Sequence, residues 1–414
     1  MDLADINLSD IEGFWTLPMT DREAAFAALR QQAPIHFEEY ETEYLPPGPG
    51  YWAITRHADI VEASRKPELF CSGQGTNVPD LPAEFNDFFG SMINMDDPRH
   101  ARLRRLVSAG FTPRMLSKME DDIRSGAHEI VNRVIDKGQC DFVNDVAGWL
   151  PVKIICDMMG IPESQYGYVF DQTNIILSNG DPEFIPEDKN PLEAFLEAGA
   201  ALAMLINEIA ESSRGRDRAD LTTAMVNAEI DGDRLTVEEI QSFFVLLCAA
   251  GSETTRNAIA WGLHYLTNNP DQRDLLAADF DAHIAGAVEE IVRMATPVIH
   301  FRRTVTADGT ELAGHTFDEG DKIVLFYNSA NRDETVFDRP DQFDITRDPN
   351  PHVGFGGPGP HFCLGAHLAR RQITEMYREL LTRVPDIHAV SEPDRLRSSF
   401  INGVKHLECE FTPA

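Results

Sequence analysis

Phe355-Gly356-Gly357-Pro358-Gly359-Pro360-His361-Phe362-Cys363-Leu364-Gly365 is the stretch on which the reading of this chain turns. It sets one cysteine at the end of a glycine-rich, proline-stiffened loop, directly before a helical pattern over residues 366–384. A cysteine by itself reads as a core residue in a turn, since free Cys is among the most buried residue types. The surroundings of Cys363 argue for more. Glycines let backbone N–H groups turn toward the sulfur, and a following helix adds the positive end of its dipole; both lower a thiol pKa. A thiolate is an anionic, strongly donating metal ligand, and Cys363 is the one of six cysteines in such a setting.

With His361 two positions upstream and Gly365 two positions downstream, the stretch resembles the haem-binding loop of the cytochrome P-450 superfamily. That loop usually reads Phe-Gly-x-Gly-x-His-x-Cys-x-Gly. Here one extra residue lies between Phe355 and Cys363, a variant associated with bacterial members that oxidise steroid side chains or branched lipids. The resemblance implies that Cys363 is the axial ligand of haem b, with Phe355, Gly356, His361 and Gly365 around it. Thiolate ligation favours O–O cleavage. It also implies a mainly α fold with a small β-sheet, residues 1–414 as a single domain, and a long central helix over the haem with the cysteine loop beneath.

Composition agrees with one large globular domain. No linker, low-complexity segment or internal repeat divides the chain. The cysteines lack CxxC or disulfide-like spacing, which suits a reducing cytoplasm. The first fifteen residues are acidic and the longest apolar run, residues 243–250, is far too short to span a bilayer, so no membrane anchor is expected. A formal charge of −32 argues against nucleic acid or an anionic membrane as partner.

Outward from the loop, residues 21–31 read as a helix, and residues 35–39 and 51–55 as two strands around the turn Pro46-Pro47-Gly48-Pro49-Gly50. Residues 66–98 read as a long loop that holds Phe85, Phe88, Phe89 and Met92; apolar loops of that length are usually functional. Asp97-Pro98-Arg99-His100-Ala101-Arg102-Leu103-Arg104-Arg105 opens a helix with a basic cluster, and His100 and Arg104 share a face at i, i+4. Residues 162–178 and 191–214 read as helices joined by a link over residues 179–190. The longest helical pattern starts at a Thr236/Glu239 capping box and runs to Pro270, roughly 50 Å. Its apolar face is broken in mid-helix by Gly251-Ser252-Glu253-Thr254-Thr255, and polar groups there need a reason.

The resemblance supplies roles. Residues 66–98 match the loop over the substrate, and the helix pair the mobile lid. His100, Arg104 and Arg303 match haem propionate ligands. Ala250 and Gly251 leave room over the iron, and Glu253 and Thr254 match the acid–alcohol pair that manages protons during oxygen activation. Glu290 and Arg293 match a buried structural Glu-x-x-Arg pair, whose usual third partner is an arginine near Phe343. Gln342 stands there, leaving Arg339 or Arg347 as substitutes. Val298 and Ile299, on a strand over residues 298–304, are expected to border the substrate, as are Phe400 and Ile401 in a hairpin over residues 399–407.

The activity implied is that of a monooxygenase: one atom of O2 enters an unactivated C–H bond of a hydrophobic substrate, with electrons from NAD(P)H through ferredoxin reductase and ferredoxin. The basic residues Arg99, Arg102, Arg104, Arg105, Arg114, Lys118, Arg370 and Arg371 are expected to frame the docking face. The substrate expected is a steroid, branched lipid or terpenoid. Two alternatives stand beside this: a haem-thiolate peroxygenase, which in the family lacks the acid–alcohol pair, and a non-catalytic haem-binding or sensor protein.

Overall fold

The computed structural model describes residues 2–40, 48–110, 113–178, 180–229, 232 and 234–413. Pro46 and Pro47 of the expected turn and Asn179 of the expected link lie outside them, as does the side chain of Arg114. The contacts within the chain divide it into two compact units.

The first unit comprises Met1–Pro82, Asn269–Ala366 and Leu396–Gly403. It is built on a five-stranded sheet in the order Ile35–Glu38, Tyr51–Ile54, Lys322–Phe326, His300–Val305 and Phe70–Cys71. The first two strands pair antiparallel with Ile35 opposite Ile54, as the sequence predicts. Alternate residues face opposite sides of a strand, and here both sides are apolar. Tyr51, Ala53, Val324 and Phe326 pack with Phe26 and Leu29 of the helix Met19–Gln32. Ile54, Ile323 and Leu325 pack with Ile60 and Ala63 of the helix His57–Arg65. A side chain of this kind contributes about 1.5–3 kcal/mol when fully buried, which is why these strands carry continuous apolar runs.

The second unit comprises Ala83–Asn268, His367–Arg395 and Val404–Ala414. It is mainly helical and has one small sheet of Gln139–Asp141, Glu408–Glu410 and His388–Ala389. The long helical run starts where expected: Glu239 N–H donates to Thr236 Oγ1 at 3.2 Å, and Thr236 N–H donates to Glu239 Oε2 at 2.9 Å. It is not one uniform helix. α-Helix Val237–Cys248 gives way to a π-turn over Ala249–Glu253 and resumes as Thr254–Asn268. Phe243, Phe244 and Val245 sink into a core shared with Ile155 and Met159 of Trp149–Met159 and with Leu202 and Ile206 of Pro191–Ser213.

The structure corrects the expected loop over residues 66–98. It contains strand Phe70–Cys71, helix Ala83–Gly90 and the 3-10 turn Ser91–Asn94. Residues 83–89 hold no glycine or proline, and Gly90 closes the helix, so the breakers flank it instead of interrupting it. The expected strand over residues 298–304 is shifted to His300–Val305, with Val298 forming an isolated bridge to Ile401. Among the described residues no helix is long and apolar enough to cross a membrane.

Candidate functional site

The cysteine loop is a set of close turns within the first unit. Gly356 takes φ +85°, and the N–H groups of Gly356, Phe362 and Cys363 donate to the carbonyls of Val353, Gly359 and Phe355 at 2.9, 3.1 and 3.0 Å. Side chains on Gly357 or Gly359 would run into Ser64 of the helix His57–Arg65. The loop therefore lies flat on that helix, and its glycines are required for the approach. It delivers Cys363 exposed, whereas the other five cysteines are buried. Its sequence neighbours Phe362 and Leu364 are apolar and 39 % and 36 % exposed. Helix Ala366–Arg383 begins three residues later.

These residues fit a haem group. An exposed thiol with apolar sequence neighbours suits iron and the face of a porphyrin, and Arg303 suits an acidic side arm. Arg303 is 5 % exposed, and its Nη1 donates to the carbonyl of Arg302 at 2.7 Å. Among the described residues it has no carboxylate partner. A buried cation in that condition is costly and favours an anion beside it. His361 is half-buried.

In the second unit, His100 and Arg104 lie one turn apart on Arg99–Gly110, His100 buried and Arg104 half-buried. His100 Nδ1 stands 3.3 Å from Asp97 Oδ1, and burial is the main cause that pushes its pKa down.

The π-turn falls on the polar interruption of the long helix. Ala250 is exposed, Gly251 and Thr254 are half-buried and Glu253 is 2 % exposed. Thr254 Oγ1 donates to the carbonyl of Ala250 at 2.6 Å, and Ser252 Oγ donates to that of Cys248. Hydroxyls bonded back onto a helix bend it, and π-turns often mark functional sites. A Cβ on Gly251 would stand 2.6 Å from Ile155 Cδ1, so this turn packs closely on the neighbouring helix. Glu253 Oε1 accepts from Arg256 and, at 3.0 Å, from Asn257 Nδ2. Arg256 also donates to Asn174 Oδ1 of helix Tyr166–Leu177 at 2.7 Å and lies over the Phe170 ring at 5.7 Å. Asn257 Oδ1 accepts from Val404 N–H at 3.0 Å. Sequence reasoning singled out Glu253 but missed Arg256, Asn257 and Asn174. The i+3 and i+4 spacing on one helix could have found the first two.

The apolar residues assemble within each unit. In the first, Val298 bridges Ile401, Ile299 N–H donates to the Phe400 carbonyl at 2.8 Å, and the Phe400 ring lies 5.6 Å from that of Phe301. In the second, Phe85, Phe88 and Phe89 are half-buried on helix Ala83–Gly90, and Met92 is in the core. Phe89 is 4.9 Å from Phe88 and 4.1 Å from Phe195 of the helix Pro191–Ser213.

Glu290 and Arg293 form a wholly buried pair. Arg293 Nε and Nη2 donate to the two carboxylate oxygens at 2.8 Å each, and further bonds reach the carbonyls of Asn331, Pro340 and Gln342. The third partner is Arg347, whose Nε lies 3.2 Å from Glu290 Oε2; Arg339 instead points to Asp338 and Asp344. Gln342 takes part through its backbone carbonyl, which its side-chain type does not disclose.

The basic cluster is less free than its sequence implies. Arg99 pairs with Asp87, Arg102 with Glu239, Lys118 with Asp122 and Arg371 with Glu375. Arg105 is exposed.

Comparison with known proteins agrees with this reading. The family described as Cytochrome P450 matches residues 193–384. The chain is 46 % identical to the methyl-branched lipid omega-hydroxylase of Mycobacterium tuberculosis over 411 residues, 98 % of this chain and 94 % of that protein. It is 38 % identical to the steroid C26-monooxygenase of Mycolicibacterium smegmatis, over 94 % of this chain and 90 % of that one. A Mycobacterium marinum cytochrome P450 solved in complex with pseudoionone superposes with a TM-score of 0.93 at 43 % identity, covering 98 % of each chain. Likeness of that extent reaches well beyond the cysteine loop, and the chain belongs to the cytochrome P450 family of haem-thiolate monooxygenases.

Proposed function

We propose that this enzyme, acting as one catalytic domain over residues 1–414, hydroxylates the terminal region of a methyl-branched lipid, an isoprenoid or a sterol side chain. The observation that carries the monooxygenase reading is the exposed Cys363 thiol on its glycine loop, set against five buried cysteines. Haem b, when bound, supplies O2 activation and insertion of oxygen into a C–H bond. The chain's own residues have the remaining tasks. Cys363 would hold the iron; Arg303, His361, His100 and Arg104 would hold the propionates. Thr254 would offer its hydroxyl as a hydrogen-bonding group and Glu253 would move the protons that the reaction consumes.

The substrate class is supported by the apolar groups Val298, Ile299, Phe400 and Ile401, and Phe85, Phe88, Phe89 and Met92. Apolar groups of this kind gain about 25 cal/mol per Å² of apolar surface they bury, which favours a large, nearly uncharged lipid over a small polar acid. The names of the relatives point the same way. Electrons would come from NAD(P)H through ferredoxin reductase and a ferredoxin in the cytoplasm, with exposed Arg105 the best placed of the basic residues for docking.

Two experiments test this. Cys363→Ser is expected to lose the red-shifted absorption of the ferrous CO complex; an unchanged spectrum would move the axial ligand elsewhere. Cholest-4-en-3-one, a methyl-branched fatty acid, a monoterpene alcohol and a polycyclic aromatic should then be ranked by the spin-state shift each induces. Binding of only the aromatic or the small terpene overturns the lipid assignment and leaves the monooxygenase standing.

A further inference from the structure

Away from the cysteine loop, the second unit holds two thiols in a paired arrangement. Cys140 in Gln139–Asp141 and Cys409 in Glu408–Glu410 stand directly opposite one another on adjacent antiparallel strands. Their sulfurs are 3.4 Å apart, and Cys409 Sγ also points at the carbonyl of Cys140 at 3.3 Å. Opposed residues in such a ladder have Cα atoms about 4.5–5.5 Å apart, within the range that a disulfide spans. Closing the sulfurs to bonding distance therefore needs about 1.4 Å of side-chain rotation and no movement of the strands. Two cysteines buried for packing alone have no need to share one register position across 268 intervening residues.

We propose that Cys140 and Cys409 are a peroxide-responsive dithiol that closes reversibly to a disulfide. Hydrogen peroxide is the oxidant, and it is a by-product when a monooxygenase passes two electrons to O2 without oxygenating its substrate. Cys140 is the attacking sulfur: it lies on the edge strand of the sheet and is 7 % exposed, whereas Cys409 is 1 % exposed on the central strand. Cys140 attacks one peroxide oxygen, the O–O bond breaks and hydroxide leaves, giving a sulfenic acid. Cys409 then attacks that sulfur, the S–S bond forms and a second hydroxide leaves. Two thiols lose two electrons and two protons, and one peroxide becomes two waters.

The hydrogen bond to Cys140 and burial push the Cys409 thiol up, which slows the second, closing step. Closure would fasten the last strand, which follows closely on Val404, Lys405 and His406. Val404 is held by Asn257, and Lys405 and His406 reach Asp181, Glu183 and Asp141. The device therefore braces the C-terminal segment during poorly coupled turnover.

The test uses the haem-loaded enzyme, titrated with hydrogen peroxide, alkylated, digested and read by mass spectrometry. The expected product links the peptides of Cys140 and Cys409, two hydrogens lighter than their sum and restored by dithiothreitol. The oxidised protein should melt up to roughly 5 °C higher, a rise absent from Cys140→Ala and Cys409→Ala. Three results overturn the proposal: unlinked sulfinic or sulfonic acid at Cys140, oxidation of Cys71, Cys156 or Cys248 ahead of the pair, or no link at peroxide levels that already bleach the haem. All are read on the unmutated protein, so the folding of the variants does not decide the matter.

Discussion

The Glu-x-x-Arg pairs Glu290 with Arg293 and Glu253 with Arg256 are both buried, and they share spacing, charge and helical setting. Their surroundings differ. Glu290 receives Arg293 on both oxygens and then Arg347, the Asp344 N–H and Asn350 Nδ2. Glu253 receives Arg256 and Asn257 from its own helix, both on Oε1, and Arg256 keeps a buried Nε that has no partner among the described residues. The first pair is satisfied from three chain segments, which makes it rigid. The second is closed only locally, one hydrogen bond from a helix whose role is expected to be that of a lid. Glu253 is thus held through one oxygen by its own helix, whereas Glu290 is held through both oxygens from several segments.

The largest effect expected is on the rigid pair. Arg293→Ala strands a buried carboxylate, and breaking such a pair costs about 3–5 kcal/mol. Its denaturation midpoint should collapse or no folded protein should be recovered. Glu253→Gln should behave oppositely: Arg256 retains Asn174 and Phe170, so stability falls by about 1–2 kcal/mol, while product formation drops on the order of 100-fold. If Glu253→Gln unfolds the protein as Arg293→Ala does, the contrast between the two pairs is void. Next in size is Thr254→Ala, expected to leave the melting curve nearly in place while NAD(P)H consumption diverts to peroxide; equal coupling in variant and parent would remove Thr254 from proton delivery. Asn174→Ala sharpens the comparison further, because it loosens Arg256 without touching the acid. A changed pH profile of turnover with unchanged substrate affinity is expected, and an unchanged profile would make the contact structural only.

The smallest effect concerns a third charged group, His406, which stands 2.6 Å from Asp141 and 2.8 Å from Glu183. The bond to Asp141, aided by Glu183 and opposed by partial burial, raises its pKa above the usual 6.5. Lys405, Asp181, Asp394 and Asn144 also surround the cluster. A raised pKa means that the stabilisation is complete below about pH 6.5 and is lost as pH climbs through the folded value. At a 41 % exposed side chain screening keeps it to about 1 kcal/mol or less. The stability difference between parent and His406→Ala should therefore shrink from pH 6 to pH 9; a constant difference would deny the charged bridge.

What the sequence disclosed follows from how local each cause is. The turns of the Cys363 loop and the Thr236/Glu239 box are made by residues a few positions apart, and the structure has both where the sequence puts them. Glu290 and Arg293 were visible as a spacing, but Arg347 was one of two candidates because the choice depends on where a distant irregular segment folds back. Helix Ala83–Gly90 was hidden by the glycines and prolines at its flanks and by its shortness; it is held by packing on helix Val237–Cys248, with Phe89 against Phe195, which no local pattern announces. The π-turn was foreshadowed only as a polar interruption. An added residue in a helical turn leaves no signature in residue type, although Thr254 and Ser252 bonded back onto the turn suit it well.

The contact of the cysteine loop with Ser64 also sets how this enzyme can be diversified. At Gly357 the obstacle is the Ser64 side chain, so Gly357→Ala paired with Ser64→Gly forms a compensating couple that a library of double variants can reach. At Gly359 the obstacle is the Ser64 carbonyl, which every residue carries, and no partner substitution restores the space. Variation of the sulfur's surroundings is thus channelled into Pro358, Pro360, Phe362 and Leu364. A laboratory lineage should drift at those positions and at the 64/357 couple long before Gly359 changes.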